Sequence, residues 1–558
     1  MSEDEKLREI ERAQEEYERL AAQVPGGYAQ VPGRRTTFGL PLKPLYTSLD
    51  VAGSDYLRDL GFPGGYPLTR GVSPLGYRSK EWTRRQVVGL GTAEETNERL
   101  RYLFQQGQTG FSVCGMGYAP YESSDERSLG LLGRGGVWID TLYDIETLFQ
   151  GIDMERITIN QIGESVAVFA MILSEARRRG IPFANLRGTI QNLVLPGGEG
   201  PELRGNHGVD VVEYCCRHLP RWNHTSVSAR DIREQGISSV QEIAIAMYGA
   251  VCTTKAALAR GIDIDVFAPR VSFFLSAESE FLEEVAKYRA ARRMWARLMR
   301  ERFGAKDPRS WLMRFHVQTS AISLTAQQPL QNVIRSTIHA LAAVLGGVQS
   351  MSVNSFDEVL AIPTEAAAIL SLRTQQIILH ETDAAAVIDP LGGSYCIEAL
   401  TNQLEDEAGK LLARLEAMDG EKAWAYIADE AHQAGYRRQE AIDRGERAVV
   451  GVNCYVMEED EEKALGLDVG QVFEYDPTWR DKQIARLEKV KRERDAQKVE
   501  AAKKRLVEAY KARENIIEPM MEAVQAYLSI GEIVELLAAV YGLDELERRH
   551  GFYLSFLY

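Results

Sequence analysis

Between about residues 85 and 420, short apolar β-branched runs alternate with longer segments of helical periodicity, and this alternation constrains the fold most. The runs are GFSVCG (110–115), ITINQI (157–162), GTIQNLVL (188–195), HTSVSA (224–229), RVSFFLS (270–276), MRFHVQT (313–319), VQSMSVNS (348–355) and the weaker AAAVID (384–389). Segments such as SVAVFAMILSEARRRG and SVQEIAIAMYGAVCTTKAALARG separate them. Strands joined through helices pair in parallel, with right-handed crossovers. Eight such units are the number that closes a TIM (β/α)8 barrel, so the expected class is α/β with a barrel over residues 85–420.

The flanks read differently. Residues 1–24 are charged with a thin apolar stripe (Leu7, Ile10, Leu20), a surface helix. Residues 25–80 are rich in Gly and Pro without helical period, so 1–84 is expected to be a helix plus an extended N-terminal arm. Residues 421–558 form a helical C-terminal region, in which 478–515, dense in Lys, Arg and Glu, read as a solvated helix. The last stretch carries Tyr541, Phe552, Tyr553, Phe556 and Tyr558, a docking segment.

A formal net charge of −15 argues against nucleic acid as the main partner, because a phosphate-binding surface needs excess Lys and Arg. The six cysteines form no CxxC pair, which fits a reduced, cytoplasmic compartment. The charged N-terminus is no signal peptide, and no apolar run is expected to reach bilayer-spanning length. No metal site is expected.

Several blocks carry a resemblance: GLPLKPLYT (39–47), GFPGGYPLTRG (61–71), GTAEETN (91–97), GTIQN (188–192), FAPRVSFF (267–274), RFGAKDPRS (302–310), SLTAQQP (323–329), AIPTEAA (361–367) and IDPLGGSY (388–395). From about residue 35 to 545 the chain resembles the large, substrate-binding subunit of adenosylcobalamin-dependent acyl-CoA mutases, the methylmalonyl-, isobutyryl- and 2-hydroxyisobutyryl-CoA mutase group. The resemblance implies the same barrel and a radical 1,2-rearrangement begun by cobalt–carbon homolysis. The cobalamin module's DxHxxG motif occurs nowhere here, so a separate small cobalamin-binding subunit is the implied partner. A homodimer of large subunits within a heterotetramer, and a G-protein chaperone, are further implied partners.

Carried over residue by residue, the resemblance places Gly89, Gly135, Asn354 and Glu358 against the adenosyl group. It places Glu234, His316 and Gln318 against the corrin or its substituents. Backbone approach of that kind favours Gly, and a carboxylate suits two ribose hydroxyls. Arg270, Ser272 and Arg314 match positions lining the CoA tunnel. Lys80 replaces an arginine that meets CoA phosphate, keeping charge but losing the fork, and Ser73 and Gly76 replace larger residues at the tunnel mouth.

The reacting side departs most. Gln191 matches the residue near the thioester. Val87 stands at the specificity position, where the family has Tyr, Phe or Ile. Cys114 stands where hydroxyisobutyryl enzymes place an aspartate, and a thiol is only a weak donor. The family's FDxPTxxGYDSDHP becomes GMGYAPYESSDER, and Trp138 replaces an alanine near the adenosyl cavity. The KEYxxRNTYIYPP segment, which supplies an arginine for a carboxylate, becomes LVLPGGEGPELRGNHG, with Arg204 the nearby candidate.

In the family decapeptide SISGYHxxEAG the histidine bonds the thioester carbonyl; here Asp231 takes its place. An ionised aspartate only accepts. Asp231 is therefore protonated by burial, paired with Arg230, or met by a donor on the substrate. The leading expectation is a mutase acting on an unusual acyl-CoA thioester. The alternatives are a non-catalytic barrel serving as partner subunit and a radical mutase on a non-CoA substrate.

Overall fold

The computed structural model describes residues 3–24, 34–115, 121–128, 130–133, 135–162, 165–192, 203–465 and 472–541. Its strands are β1 (Thr83–Arg85), β2 (Phe111–Val113), β3 (Ile159–Gln161), β4 (Gly188–Ile190), β5 (Trp222–Asn223), β6 (Thr225–Ser228), β7 (Val271–Ala277), β8 (Arg314–Thr319) and β9 (Ser350–Ser352). They make two wholly parallel sheets, β1-β9-β8-β7-β6 and β2-β3-β4-β5. Only His224 separates β5 from β6, so one extended segment serves both sheets. At the other edge Val88, just past β1, bridges Val113 of β2 in parallel. The chain is thus mixed α/β with parallel sheets and many helices.

The alternation within each strand has one meaning throughout. Phe111, Ile159, Ile190, Val227, Phe273, Val317 and Met351 are buried beneath helices in two large apolar clusters, one per sheet. The alternate positions, Asn160, Thr189, Asn223, Ser226, Ser272, His316 and Ser350, line a cavity that both sheets share. Successive side chains of a strand point to opposite faces, so small polar residues at every second position leave room on one face.

Two strand assignments are corrected. Residues 384–389 are turns and bends rather than strand: Asp389 takes a positive φ of 49° and accepts from Arg70 Nε at 2.9 Å as well as from Arg289. The alanines gave that run a strand-like look without a sheet neighbour. The strand that pairs with β9 is instead β1, which its charged residues disguise. Arg85 is buried, with Nε donating to Ser350 Oγ and Nη2 to Thr158 Oγ1, both at 2.8 Å.

The helix Ser239–Ala259 corrects the expectation about apolar length. It is long and apolar enough to cross a membrane, but 72% of its most apolar window is buried inside the protein, as in a core helix. The N-terminal helix spans Glu3–Ala21. The charged segment 478–515 is two helices, Thr478–Glu493 and Ala496–Lys511, rather than a fully solvated one. Trp479, Val499 and Leu506 join the apolar cluster of the four-stranded sheet, and Leu487 is buried as well. No disulfide joins any of the six cysteines among the described residues. The aromatic residues beyond Tyr541 lie outside the described residues.

Candidate functional site

Parallel strands aim all their N-termini the same way, and here the residues that begin or precede them are cationic. Arg187, Arg221, Arg270 and Arg314 sit immediately before or at the start of β4, β5, β7 and β8 and line the mouth of a cavity of about 570 Å³. No carboxylate pairs with Arg221, Arg270 or Arg314 among the described residues. Burial lowers the Arg270 and Arg314 pKa values, and mutual repulsion with Arg309 and, for Arg270, Arg221 adds to it. Cations that depress one another define a positive potential suited to an anion such as phosphate. Ser73, Gly76, Lys80, Gln191, Ser272 and His316 line the same cavity.

A second cavity of about 410 Å³ lies further along the strands, lined by Val87, Gly89, Cys114, Gly135, Gln318, Asn354 and Glu358. The two are in strict register. Arg85, His316 and Ser350 face the first, and Val87, Gln318 and Ser352, each two residues on, face the second. Positions i and i+2 share a strand face about 7 Å apart, so the cavities stack along the strands.

The second cavity presents hydrogen-bonding groups beside a bare backbone. Asn354 Oδ1 accepts from Gln318 Nε2 at 2.7 Å, while its buried Nδ2 meets no acceptor among the described residues. Glu358 accepts from Ser355 N at 3.2 Å, and burial pushes its carboxyl up to about 7 despite the opposing pull of Arg230. A Cβ on Gly89 would strike the Cys114 carbonyl oxygen and come within 3.0 Å of Gly136 Cα, whereas one on Gly135 would meet nothing within 4 Å. Gly89 is therefore small because backbone crosses it, and Gly135 leaves open space.

His316 is held neutral by burial and by the Arg85 charge. Its ring nitrogens lie 2.9 Å from Ser350 Oγ and 3.2 Å from Ser352 Oγ, so it fixes the partition between the cavities. The structure puts it in the first cavity, one pleat before Gln318.

Asp231 and Glu234 border neither cavity directly. Asp231 is the second residue of the short helix Arg230–Arg233 after β6; its side chain is 51% exposed and accepts from Ser228 Oγ at 2.9 Å and Arg230 Nη1 at 3.1 Å. Of the three expectations for Asp231, burial is excluded by its exposure and pairing with Arg230 is what occurs. Glu234 accepts from the backbone N–H groups of Ala321 and Ile322, both at 2.8 Å, tying the end of β6 to the loop after β8. Trp138 lies in the apolar core, donating to Asp140 Oδ1 at 3.2 Å, and does not line the second cavity. Residues 193–202 and the side chain of Arg204 lie outside the described residues, as do residues 116–120 of the altered GMGYAPYESSDER segment.

Sequence reasoning missed Arg70, Arg187 and Arg221 at the cationic mouth, and the Asn160–Thr189–Asn223–Ser226 lining. The signal was present in the strands themselves, where a polar residue recurs at every second position.

Comparison with known proteins matches residues 35–543 to the methylmalonyl-CoA mutase family. The chain is 39% identical over 550 residues to the 2-hydroxyisobutanoyl-CoA mutase large subunit of Aquincola tertiaricarbonis, covering 94% of this chain and 95% of that protein. It is 39% identical over 527 residues to the methylmalonyl-CoA mutase of Cereibacter sphaeroides, covering 92% and 73%. It is 37% identical over 523 residues to the mitochondrial methylmalonyl-CoA mutase of Homo sapiens, covering 91% and 68%.

Proposed function

The chain belongs to the methylmalonyl-CoA mutase family, and from that premise we propose that it is the large subunit of an adenosylcobalamin-dependent acyl-CoA mutase. One observation carries the reading: two polar cavities stacked in register along the same strands, the first opening at a cationic mouth. On this reading the two sheets close as a (β/α)8 barrel through the shared β5–β6 segment and the Val88–Val113 bridge. A packed barrel fills its interior with branched aliphatics. Here serines, threonines and asparagines replace them, and a CoA arm takes the space they leave.

Arg270, Arg314 and Lys80 would bind the CoA phosphates, with Ser73 and Ser272 along the wall. Gln191 and His316 would hold the thioester end. The second cavity suits an adenosyl group: Gly89 and Gly135 admit it to the backbone, the free Asn354 Nδ2 donates to it, and Glu358 accepts its ribose hydroxyls. When bound, adenosylcobalamin supplies a carbon-centred radical. The chain's own part is to hold the acyl group against that cavity, exclude water from it, and set substrate shape through Val87 and Cys114. Glu234 would keep the loop after β8 in place beneath the cofactor.

The relative from Aquincola tertiaricarbonis is named a large subunit, which supports a small cobalamin-binding partner here as well. We further propose a heterotetramer built on paired large subunits, a G-protein chaperone, and a cytoplasmic setting consistent with cysteines that form no disulfide among the described residues.

The test is binding. The purified chain should bind CoA, more weakly as salt rises, and should hold adenosylcobalamin tightly only together with a cobalamin-binding small subunit. Tight stoichiometric cobalamin binding by the chain alone, or no CoA binding at low salt, would overturn the proposal.

A further inference from the structure

We infer, resting on the acyl-CoA mutase reading above, that Arg230 selects the acyl group: it donates to an acyl oxygen where the two cavities meet, and the accepted acyl groups carry no carboxylate.

Arg230, like Asp231 and Glu234, is not among the residues that line either cavity, but its guanidinium stands beside a residue that lines the first. It lies 5.9 Å above the ring of Phe274, which lines the first cavity, and its charge acts on both His316 in that cavity and Glu358 in the second. Its orientation is set from one side only. Asp231 Oδ1 takes Nη1 at 3.1 Å, and Glu234 Oε1 lies 3.8 Å from Nε. Nε is buried without a hydrogen-bond acceptor, and Nη2 donates to nothing among the described residues. A pair of N–H groups on one edge of a planar fork is a ready donor set for an oxygen. Asp231 is then the positioning residue, and the donor that the family's histidine supplies comes from its neighbour.

The same surroundings decide what the donor can accept. Arg230 is one cation among Asp231, Glu234 and Glu358, and these outweigh the effect of burial and hold it protonated. Its charge is already balanced by Asp231 and Glu234, so an incoming carboxylate would face those two acids. The nearby Arg85 spends donors on Phe111 O, Thr158 O, Thr158 Oγ1 and Ser350 Oγ. A neutral oxygen, whether carbonyl or hydroxyl, accepts a hydrogen bond there without meeting that repulsion. Specificity of this kind rests as much on what is repelled as on what is bound.

Calorimetric titration of the full chain with free CoA, 2-hydroxyisobutyryl-CoA and succinyl-CoA tests this, using wild type, Arg230→Gln and Arg230→Lys. Wild type should bind 2-hydroxyisobutyryl-CoA roughly tenfold or more tighter than succinyl-CoA, and Arg230→Gln should lose roughly tenfold for the hydroxyacyl ester. Arg230→Lys, which keeps charge but not the fork, should recover part of that loss. Free CoA should bind all three proteins alike. Succinyl-CoA binding as tightly as the hydroxyacyl ester, or an Arg230→Gln variant that binds free CoA normally and the hydroxyacyl ester undiminished, overturns the inference. If wild type binds no CoA at all, the mutase reading fails, and the inference with it. Should Arg230→Gln fail to bind free CoA, it is misfolded, and the wild-type comparison of the two esters alone decides.

Discussion

Two carboxylates near the end of β6 and β7 make opposite predictions when neutralised, and the difference comes from burial. Asp231 is 51% exposed and contacts Arg230 and Ser228 from the solvent side. Exposed pairs are worth about 0–1 kcal/mol, and Asn would still accept from Ser228, so Asp231→Asn should cost under about 1 kcal/mol. Glu278 has a side chain only 1% exposed, 2.9 Å from Arg233 Nε and 2.8 Å from Arg438 Nη1. Burial acts to raise its pKa, yet Arg233 and Arg438 hold its carboxyl down to about 2. Glu278→Gln removes one charge from a buried network and leaves Arg233 with Glu284 at 3.3 Å and Glu242 at 3.8 Å. Breaking one partner of a buried pair costs about 3–5 kcal/mol, and the remaining acids put this case near 3. Thermal unfolding of the two variants beside wild type reads the contrast: Asp231→Asn should shift Tm by no more than about 2 °C, Glu278→Gln by clearly more. Substrate affinity should show the reverse order, with Asp231→Asn weakening acyl-ester binding through its loosened hold on Arg230. A large Tm loss for Asp231→Asn with unchanged ester binding would refute the placement of Asp231 at an open functional edge.

Gly89→Ala should cost about 1–3 kcal/mol and abolish cobalamin capture by the complex, because the new Cβ meets backbone rather than a movable side chain; differential scanning fluorimetry and the cobalamin spectrum check both. Arg270→Ala and Arg314→Ala should each weaken CoA binding roughly tenfold, with a shallower salt dependence, measured by titration at two ionic strengths. Glu358 has a folded-state pKa of about 7 against an ordinary 4.5, so the folded state binds the extra proton between those values. Its contribution then falls as pH rises from 4.5 to 7 and is constant above. The Tm of Glu358→Gln relative to wild type should therefore rise across that window and level off, and a flat difference would show that the carboxyl is not buried as described.

The fold was legible where strand residues alternate between an apolar face and a small polar one. HTSVSA, RVSFFLS and MRFHVQT lie at β6, β7 and β8 within a residue or two. It was illegible where charge entered a strand. Thr83–Arg85 hides because Arg85 finds its partners across the sheet, and nothing local reveals Ser350 or Thr158 as acceptors. AAAVID misled for the opposite cause, an apolar run whose place is fixed by Asp389 and its two arginines. The site showed the same division. His316 and Gln318 came from the family resemblance, and period-two spacing accounts for their sharing one strand face. The cationic mouth is assembled from the starts of four strands far apart in sequence, and only parallel pairing brings them together.

The register that places Arg85, His316 and Ser350 before Val87, Gln318 and Ser352 sets the traffic of turnover. On the proposed reading, the acyl carrier threads in from the strand N-termini while the cobalamin-bearing partner caps the opposite end. Neither crosses the other's path. Product can leave by the door through which substrate came, so the partner can stay docked from one cycle to the next, and a reactive radical is never uncovered merely to exchange a thioester.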